Sequence, residues 1–562
     1  MRTTLLLLCL AALVRAEPAF QNLTSNFDGS GVWFSSPLRM KGTEQYAHPK
    51  IFQWDEKNGV RLYDQKPPTV QVVLGRSSTT GYQLLSLSSS ADGGTMAVTG
   101  EFDCVIGPSC IFSYELYRSE IRRGAGSFEV GGSVSLSPNG RFAYRTSSIS
   151  PLFSAYNDHL RDVTSGEDIS INGLAGVFPY RHRVANDGTV VVTESRGPPA
   201  PLYLRSWTSG ELRQLPGLPA PVMINDAATR LFSSNFGLVA YDIAAARMTS
   251  LNSTASAFDI SNDGSVVAYV DAGQAWIVLA DGSGKRRITD GPETIVDLTL
   301  SGDGNFLFAV TDASRIVRID LRGGTAREIV PKASLLRTGP SAGGSAVATP
   351  GNLYEFIAQA LPEIAEVRML GGAQKVLTQT GGDLLIQTSY DLAEGTGWVE
   401  LVTREQTEGP FVSSVIWPPV QITLYRPAWY LLPDRRHIAA LHEDFSAVVT
   451  PANPARPSEI VHVFGTGFGP VAPQPEFGAA AGVNPLSRVV APMVCEMAGL
   501  IPEPAELLYA GLAPGYIGLY QFDVRLPALW ENGDASLTCR RAADSPLGDR
   551  AGGLLAVVSQ AK

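Results

Sequence analysis

The sequence predicts an all-β protein in which a seven-bladed β-propeller is followed by two tandem immunoglobulin-like β-sandwich modules. Three observations lead to this prediction. A short Asp-Gly turn recurs along the first 330 residues, its copies lie about forty residues apart, and after Val330 the composition changes to two similar stretches of alternating strands. A repeat near forty residues that holds several short strands is typical of a propeller blade.

The repeated turn reads Ser or Asn, any residue, Asp or Asn, then Gly, and a run of β-branched and aromatic residues follows it. From Asp92 onward the third positions of successive copies lie 47, 48, 39, 37 and 40 residues apart. Seven copies predict seven blades over residues 17–333. The copies are 26–29, 90–93, 137–140, 186–188, a degenerate one at 225–227, 261–264 and 301–304.

Within a blade, this turn is predicted to join strand A to strand B. The Asp or Asn side chain can bond the backbone of the turn, and Gly accepts a positive φ. The last two repeats show the strand pattern most clearly. In the sixth, strands B, C and D are predicted at 266–270, 275–279 and 286–289, and in the seventh, strands B and C at 306–310 and 315–320.

The repeat resembles that of TolB-type propellers, whose blades carry a Ser-Pro-Asp-Gly turn and close on Arg-Arg-Leu-Thr. The nearest matches in this chain are Ser137-Pro138-Asn139-Gly140 and Arg286-Arg287-Ile288-Thr289. The resemblance covers residues 20–330 and implies the fold. It implies no particular function.

The chain after the repeats is predicted to form a linker and two β-sandwich modules. Residues 334–349 include a Gly/Ser/Ala-rich stretch and are predicted to be the linker. Residues 350–356 parallel 457–464, and residues 385–392 parallel 520–527, each followed by another strand. Two immunoglobulin-like modules over 350–430 and 431–562 fit this pattern.

The second module has a sharper resemblance. Residues 451–457, 463–470 and 508–521 are similar to a C-terminal domain abundant in exported acidobacterial proteins of the Solibacter and Bryobacter type. The resemblance implies a bacterial, exported protein. That family carries no established reaction, so no catalytic residue is transferred from it.

The N-terminus predicts export. A short basic start, the apolar run Leu5 to Val14 and the small residue Ala16 have the form of a secretory signal peptide over residues 1–16. Cys9 lies inside the apolar run and not at its end, which disfavours a lipoprotein anchor. We therefore expect a periplasmic, cell-surface or extracellular protein with no transmembrane segment after the signal is removed.

The charge balance disfavours nucleic acid as a partner. The chain has 44 Lys and Arg against 54 Asp and Glu, a net charge of −10. An acidic surface repels phosphate backbones and anionic lipid.

Four cysteines remain after the signal peptide, and they form one close pair and one distant pair. In an oxidising compartment this predicts two disulfides, Cys104–Cys110 and Cys495–Cys539. Metal binding is the alternative. No C-x-x-C motif and no Cys/His cluster supports it.

Motifs that suggest chemistry are weighed against structural explanations. Gly339 to Gly343 matches the G-x-S-x-G of a nucleophile elbow, but Ser341 lacks the strand and helix that an elbow needs. The glycines of 465–469 lack the helix and Lys of a phosphate loop, so a β-turn is expected there. His437 and His442 lack the spacing of a zinc helix, and the turn carboxylates are too few for calcium. We therefore predict no catalytic residue, no metal and no cofactor.

One feature points to binding. With strands assigned as above, the loops from strand B to strand C are long in the first four blades, at 41–48, 101–110, 147–154 and 195–201, and short in the others. A Cys104–Cys110 disulfide would stiffen one of them and lower the entropy lost on binding. The predicted binding residues on this rim are Tyr46, His48, Phe102, Tyr180, Arg181 and His182.

The sequence thus favours a non-catalytic binding or scaffold protein over an enzyme. The propeller face would bind a protein or glycan of the cell envelope or extracellular matrix, with the sandwiches as spacer or envelope attachment. Two alternatives remain open. One is a propeller-based hydrolase or lyase with carboxylates at the channel mouth, and the other is a passive structural surface protein.

Overall fold

The structure is a computed structural model. Its described part contains strands, turns and bends and no helix, so the predicted all-β class is confirmed. No helix in this part is long and apolar enough to cross a membrane. The described residues are 14–42, 50–64, 83–104, 114–123, 126–131, 133–146, 158–171, 175–176, 184–193, 201–215, 222–234, 237–338, 347–358, 360–370, 372–405, 407–498, 502–528, 534–545 and 548–558.

The chain divides into two compact units. The propeller unit comprises residues 16–336 and also residues 405–414, which come from much later in the chain. The C-terminal unit comprises residues 337–404 and 415–562 with the residues before 16. The propeller unit therefore includes a short segment that sequence analysis assigned to the first sandwich module.

Seven four-stranded antiparallel sheets follow one another along the described part of the propeller unit. In each, strands A to D pair in chain order. Sheets 1 to 3 contain Gln21–Ser25, Gly31–Ser36, Lys50–Asp55 and Gly59–Asp64; Gln83–Ser89, Thr95–Cys104, Tyr114–Arg123 and Gly126–Gly131; and Ser133–Leu136, Phe142–Thr146, His159–Asp162 and Asp168–Ser170. Sheets 4 and 5 contain Ala175–Gly176, Val190–Thr193, Leu202–Arg205 and Leu212–Gln214; and Val222–Ile224, Arg230–Ser233, Leu238–Asp242 and Arg247–Asn252. Sheets 6 and 7 contain Ala257–Ile260, Val266–Asp271, Gln274–Leu279 and Arg286–Arg287; and Ile295–Leu300, Phe306–Thr311, Ile316–Asp320 and Ala326–Val330.

The sheets are arranged as a propeller. Strand A of sheet 1 lies against strand A of sheet 2 and also against strand A of sheet 7, so the first and last sheets meet. The sheets are not equally regular. Six of them have a strand A of three or more residues, whereas strand A of sheet 4 is only Ala175–Gly176.

The predicted turn chemistry is confirmed. The fourth turn position has a positive φ in every described copy, and in the degenerate copy it is Ala228, at +52°. The Asp or Asn at the third position accepts a hydrogen bond from the backbone two residues later. Asp263 Oδ1, for example, accepts from Ser265 N–H at 2.9 Å and from Ser261 Oγ–H at 2.6 Å.

The sheets pack face to face, which explains the apolar runs of their B strands. Val267, Ala268, Tyr269 and Val270 of sheet 6 are all at most 3% exposed. One face packs with Phe232 and Leu238 of sheet 5, and the other with Leu298 and Leu307 of sheet 7. When both faces of a strand are buried, successive residues are all apolar and do not alternate with polar ones. The B strands are therefore continuous apolar runs.

The C-terminal unit is built from antiparallel strands in two sets, with the two-residue strand Val347–Ala348 pairing in parallel. The first set contains Val347–Ala348, Leu353–Ile357, Ile364–Met369, Gly372–Thr380, Asp383–Gln387, Gly395–Thr403 and Ser414–Ile422. The second contains Ala428–Trp429, Ala440–Leu441, Ile460–Thr466, Val471–Ala472, Arg488–Val489, Met493–Ala498, Pro502–Leu512, Tyr520–Arg525, Ala535–Arg541 and Ala551–Leu555. Two more strands are Val14–Glu17 and Leu335–Thr338. The division into two immunoglobulin-like sandwiches stays a prediction.

One predicted disulfide is present. Cys495 and Cys539 are directly opposed on neighbouring antiparallel strands, with Cα atoms 4.2 Å apart, and they form a disulfide bond across 44 residues of sequence. Both cysteines belong to the buried core of the second set. Cys110 lies outside the described residues, so the Cys104–Cys110 pair stays a prediction.

Candidate functional site

Most predicted binding residues fall in connections that the structure does not describe. Tyr46, His48, Tyr180, Arg181 and His182 lie outside the described residues. Phe102 lies on strand B of sheet 2, Thr95–Cys104, with only its backbone described. Ser341 of the G-x-S-x-G match also lies outside them.

The strand bounds nevertheless locate the connections themselves. Between strands B and C, sheets 1 to 4 have connections at 37–49, 105–113, 147–158 and 194–201. In sheets 5 to 7 the same connections are only 234–237, 272–273 and 312–315. The long connections are therefore grouped on four consecutive sheets, at the ends of B strands where sequence analysis placed them.

A small cavity lies among the A strands and turns of sheets 1, 2, 3, 6 and 7. Its volume is about 30 Å³, and its walls include Thr24, Ser88 and Thr299. A volume of this size holds on the order of two water molecules. This cavity is too small for a substrate.

Polar side chains use the channel wall to join neighbouring A strands. The residue two positions before a turn accepts a hydrogen bond from the backbone N–H of the next sheet. The observed bonds run from Ser89 N–H to Thr24 Oγ1 (3.3 Å), from Leu136 N–H to Ser88 Oγ (3.3 Å) and from Leu300 N–H to Asp259 Oδ2 (3.0 Å). Asp259, 1% exposed, also accepts a hydrogen bond from Thr299 Oγ1–H at 2.8 Å. These polar groups hold the ring together.

The A-to-B turns form a hydrogen-bonded ring at one end of the channel. In five of the seven turns the second residue donates its N–H to the second residue of the next turn. The bonds run from Phe27 to Ala91 (2.7 Å), Ala91 to Pro138 (2.6 Å), Asn186 to Asp226 (2.8 Å), Asp226 to Asn262 (2.8 Å) and Asn262 to Gly302 (2.9 Å). Asp303 N–H closes the ring on Phe27 O at 2.8 Å.

Pro138 has no N–H to donate, and its neighbour supplies the missing link. Asn139 N–H donates to Asn186 Oδ1 at 2.8 Å, and Asn139 Nδ2–H donates to Asn186 O at 3.0 Å. The backbone N–H of Asn139 therefore keeps the ring continuous, and Asn, unlike Asp, adds a second bond because it carries a side-chain donor.

The turn carboxylates cap their own turns. The hydrogen bond from Ser30 is the largest cause that holds the pKa of Asp28 below its usual range. Burial raises the pKa of Asp263, but hydrogen bonds from Ser261 and Ser265 outweigh it and lower the pKa overall. No group of three His, Cys, Asp or Glu within the described ranges is placed to hold a metal ion. These carboxylates stabilise the turns.

The C-terminal unit contains a much larger cavity, which sequence analysis did not predict. This cleft has a volume of about 1010 Å³ and lies between the strands Leu353–Ile357 and Ala428–Trp429. Tyr354 and Tyr430 contribute to its lining, and burial raises the pKa of both phenols. Arg426 and Asp549 form an ion pair at its rim at 3.2 Å, and Glu355 is exposed on its wall.

The glycines of the phosphate-loop match lie beside this cleft, where two stretches of backbone pack closely together. A side chain at Gly467 would place its Cβ 2.0 Å from Arg426 O, and one at Gly465 would place its Cβ 2.5 Å from Ala428 O. These glycines let the strand Ile460–Thr466 approach the backbone of residues 426–428 closely. They serve backbone packing in the C-terminal unit.

Three histidines of the C-terminal unit are each held between two acceptors. His437 contacts Asp434 Oδ2 through Nδ1 at 2.5 Å and Asp534 Oδ2 through Nε2 at 3.0 Å. His462 contacts Asp523 Oδ1 at 2.7 Å and Glu443 O at 3.1 Å. The third is His442, between Glu459 Oε1 at 2.6 Å and Asn453 O at 3.3 Å.

Only the imidazolium form can donate from both ring nitrogens at once. The hydrogen bond to Asp434 is the largest cause that raises the pKa of His437. Burial lowers the pKa of His462, but Asp523 and Glu443 outweigh it and raise the pKa overall. These contacts favour the imidazolium forms of His437 and His462, which then connect loops through both ring nitrogens.

An apolar groove of about 500 Å³ lies beside these histidines. Phe445, Phe464 and Tyr516 line it. The ring of Phe445 stacks on His462 with centroids 3.7 Å apart and is 52% exposed. The groove thus has an aromatic lining, in which the exposed Phe445 ring stacks on the buried imidazole of His462.

No protein-family model matches this sequence, and no curated protein matches it. Solved structures similar to this chain include TolB from Acinetobacter baumannii, at 15% identity and a TM-score of 0.31, covering 46% of this chain and 63% of TolB. The β-propeller domain of the Trilobed protease from Pyrococcus furiosus is 12% identical with a TM-score of 0.38, covering 57% of this chain and 99% of that domain.

Oligogalacturonate lyase from Vibrio parahaemolyticus is 10% identical with a TM-score of 0.36, covering 54% of this chain and 94% of the lyase. The similarity to TolB spans less than two thirds of the TolB chain. The propeller arrangement rests on this chain's own sheets and on its closed ring of turns.

Proposed function

We propose that this protein is an exported, non-catalytic binding protein. In this proposal the seven sheets are seven blades. The propeller recognises a protein or glycan of the cell envelope or extracellular matrix with the face that carries its long B-to-C connections. The C-terminal unit, as two immunoglobulin-like modules of the acidobacterial type, is the spacer or envelope attachment.

The grouping of the long connections carries this proposal. They occur on four consecutive sheets and are absent from the next three described ones, so one sector of one propeller face has extra surface. Loops on a rigid scaffold are the usual place for recognition residues. The ring of turns and the polar bonds between A strands make this scaffold rigid.

The channel supports binding over catalysis. The cavity among the A strands holds about 30 Å³, and the carboxylate of Asp259, on strand A of sheet 6, accepts hydrogen bonds from strand A of sheet 7. A propeller-based hydrolase would need a pocket with carboxylates directed at a substrate.

Export is supported by the cysteines and the N-terminus. The Cys495–Cys539 disulfide is typical of proteins that fold in an oxidising compartment. The basic and apolar start of the chain has the form of a signal peptide. The proposal therefore locates the protein in the periplasm, on the surface or outside the cell.

The cleft of the C-terminal unit favours a second candidate for the binding site. At about 1010 Å³ it is at the upper end of the size usual for ligand pockets, and it combines aromatic with charged side chains. If this cleft is the recognition site, the C-terminal unit binds the envelope component and the propeller presents it.

The two candidates are separated by crosslinking pull-downs from cell-envelope extract with the full mature chain. One variant replaces residues 43–48 and 105–109 with Gly/Ser segments of equal length. Its control replaces the exposed turn 281–285 in the same way. A second variant is Glu355→Lys in the cleft, with exposed Glu476→Lys as its control.

Loss of a captured protein or glycan in the loop variant alone supports recognition by the propeller face. Loss in Glu355→Lys alone assigns recognition to the cleft. Capture that all four variants retain contradicts both sites. Absence of any capture by the wild-type chain contradicts the binding proposal.

A further inference from the structure

The propeller ring has a seam between its first and last sheets. In many ring-shaped folds one sheet takes strands from both chain ends, but here each described sheet consists of four strands that are consecutive in sequence. The seam between sheets 1 and 7 is therefore crossed by no shared strand. Other contacts must hold the ring closed at this position.

At the end of the channel where the turns lie, backbone bonds close the seam. Gly302 N–H donates to Asn26 O at 3.3 Å, and Asp303 N–H donates to Phe27 O at 2.8 Å. Ser25 Oγ–H adds a bond to Leu300 O at 2.9 Å. The opposite end of the seam, where the B-to-C connections lie, has no such ring of turns in the described residues.

We propose that residues 407–414, which we name the clasp, close the seam at that opposite end. The clasp is separated by 76 residues of sequence, 331–406, from the last sheet, yet it belongs to the propeller unit. In other rings a sheet that takes strands from both chain ends holds the ring closed, and the clasp would have this role here.

The clasp is bound to sheet 1 by backbone bonds and by an aromatic cluster. Val412 N–H donates to Arg39 O at 2.9 Å, and Lys41 N–H donates to Pro410 O at 2.8 Å. Phe411 is fully buried, and its ring lies 4.8 to 6.2 Å from the rings of two phenylalanines of sheet 1 and of one that directly precedes its first strand. These are Phe20, Phe34 and Phe52, all fully buried.

The clasp is bound to the exit of sheet 7 as well. Ser334 N–H donates to Ser413 Oγ at 3.0 Å, and Ser414 N–H donates to Ser334 O at 3.0 Å. Gly409 packs on Pro331, which directly follows the last strand of sheet 7. The clasp therefore contacts both sides of the seam.

The clasp is a part of the propeller unit that lies beyond residue 333. A fragment that ends at residue 333 would lack the clasp, and Phe20, Phe34 and Phe52 would lose the aromatic side chain that covers them. The propeller would then hold its seam only by the ring of turns. The clasp is accordingly tested in the full chain.

The test is hydrogen exchange followed by mass spectrometry on full-length Phe411→Ala. Exchange of the seam amides of Leu23, Gly302 and Asp303 is expected to become on the order of a hundredfold faster, because a buried Phe is lost. Exchange of Asn186 and Asp226, which make the same kind of bond between sheets 4 and 5 and between sheets 5 and 6, should not change.

The matched control is Phe232→Ala, which removes a fully buried Phe from sheet 5. It should speed exchange around Asp226 and leave the seam amides unchanged. If Phe411→Ala does not fold, Ser413→Ala decides, with an expected acceleration of roughly fivefold confined to the seam. Equal acceleration at the seam and at Asp226, or no acceleration at the seam, overturns the proposal.

Discussion

The propeller unit and the C-terminal unit hold their strands together in different ways. In the propeller unit the same short turn is repeated, and six of the seven copies are capped by a side chain two residues away, as in Asp263 and Ser265. In the C-terminal unit the connections join distant residues. His437 reaches Asp534 across 97 residues of sequence, and Cys495 is bonded to Cys539 across 44.

The difference shows how the two units depend on solution conditions. A turn capped by a carboxylate with a lowered pKa is stable at neutral and alkaline pH. A connector that needs an imidazolium or a disulfide depends on pH or on redox conditions. Four predictions test this comparison.

The disulfide is expected to give the largest effect. Replacing Cys495 and Cys539 by Ala should lower the free energy of unfolding of the C-terminal unit by about 4 kcal/mol, because the bond closes a loop of 44 residues. Denaturant unfolding followed by Trp fluorescence and by hydrogen exchange measures this change. The propeller unit's protection should be unaffected, and an equal loss in both units would contradict the comparison.

The turn ring should be most sensitive at its side-chain link. Asn139→Ala removes the turn cap and the bond from Asn139 Nδ2–H to Asn186 O, so it should destabilise the propeller unit by about 2 kcal/mol. Asp187→Ala, the control, removes a cap at a turn whose ring bond is made by the backbone, and should cost about 1 kcal/mol. Equal losses in the two variants would show that the bond from Asn139 Nδ2–H to Asn186 O adds nothing.

The two units should respond to pH in opposite directions. The pKa values of His437 and His462 are raised, so their contribution is complete below about pH 6.5, the value of a free His, and is lost as the pH rises through the folded pKa values. The pKa values of Asp28 and Asp263 are lowered, so their contribution is complete above about pH 4 and is lost as the pH falls.

Urea unfolding of the full chain from pH 4 to pH 9, with exchange read separately for each unit, measures this response. His437→Gln should lower the stability of the C-terminal unit by about 1 kcal/mol at pH 6 and less at pH 9. A loss that is the same at both pH values would contradict the imidazolium assignment.

The smallest effect is expected at the degenerate turn. Ala228 occupies the position where the other turns have Gly, and its φ is +52°. Ala228→Gly should stabilise the propeller unit by about 0.5 kcal/mol, since relief of the left-handed conformation exceeds the entropy that Gly loses. Ala227→Gly, where the backbone needs no Gly, is the control and should destabilise slightly.

The propeller was accessible to sequence analysis because its signals are local. Asp-Gly turns at a regular spacing and apolar B strands such as Val266–Asp271 identify a blade without knowledge of its neighbours. For a similar reason, the lack of a following helix, the glycines of 465–469 were not assigned to a phosphate loop. The β-turn predicted there was wrong, because Gly465 lies on the strand Ile460–Thr466 and residues 467–469 form no turn. What they pack against, the backbone of residues 426–428, was visible only in the fold.

The candidate sites were only partly accessible. Strand assignments located the long B-to-C connections, but of the predicted binding residues only Tyr46 and His48 fall in one of them, outside the described residues. Phe102 lies on a B strand. Tyr180, Arg181 and His182 fall between strands A and B of sheet 4, also outside the described residues. The cleft beside Tyr354 and Tyr430 could not be predicted, because its two walls come from strands about seventy residues apart that carry no common motif.

The sequence by itself determined the all-β class, the repeated turn with its caps and positive-φ positions, and the Cys495–Cys539 pair. Each of these depends on a few neighbouring residues, or on a cysteine count in an exported chain. Tertiary structure alone decided how the ring closes. The Asn139–Asn186 link, the packing of Phe411 on Phe20, Phe34 and Phe52, and the charged His437 connectors all join residues far apart in sequence. Distances of this kind are set by the packing of whole sheets, which local patterns do not encode.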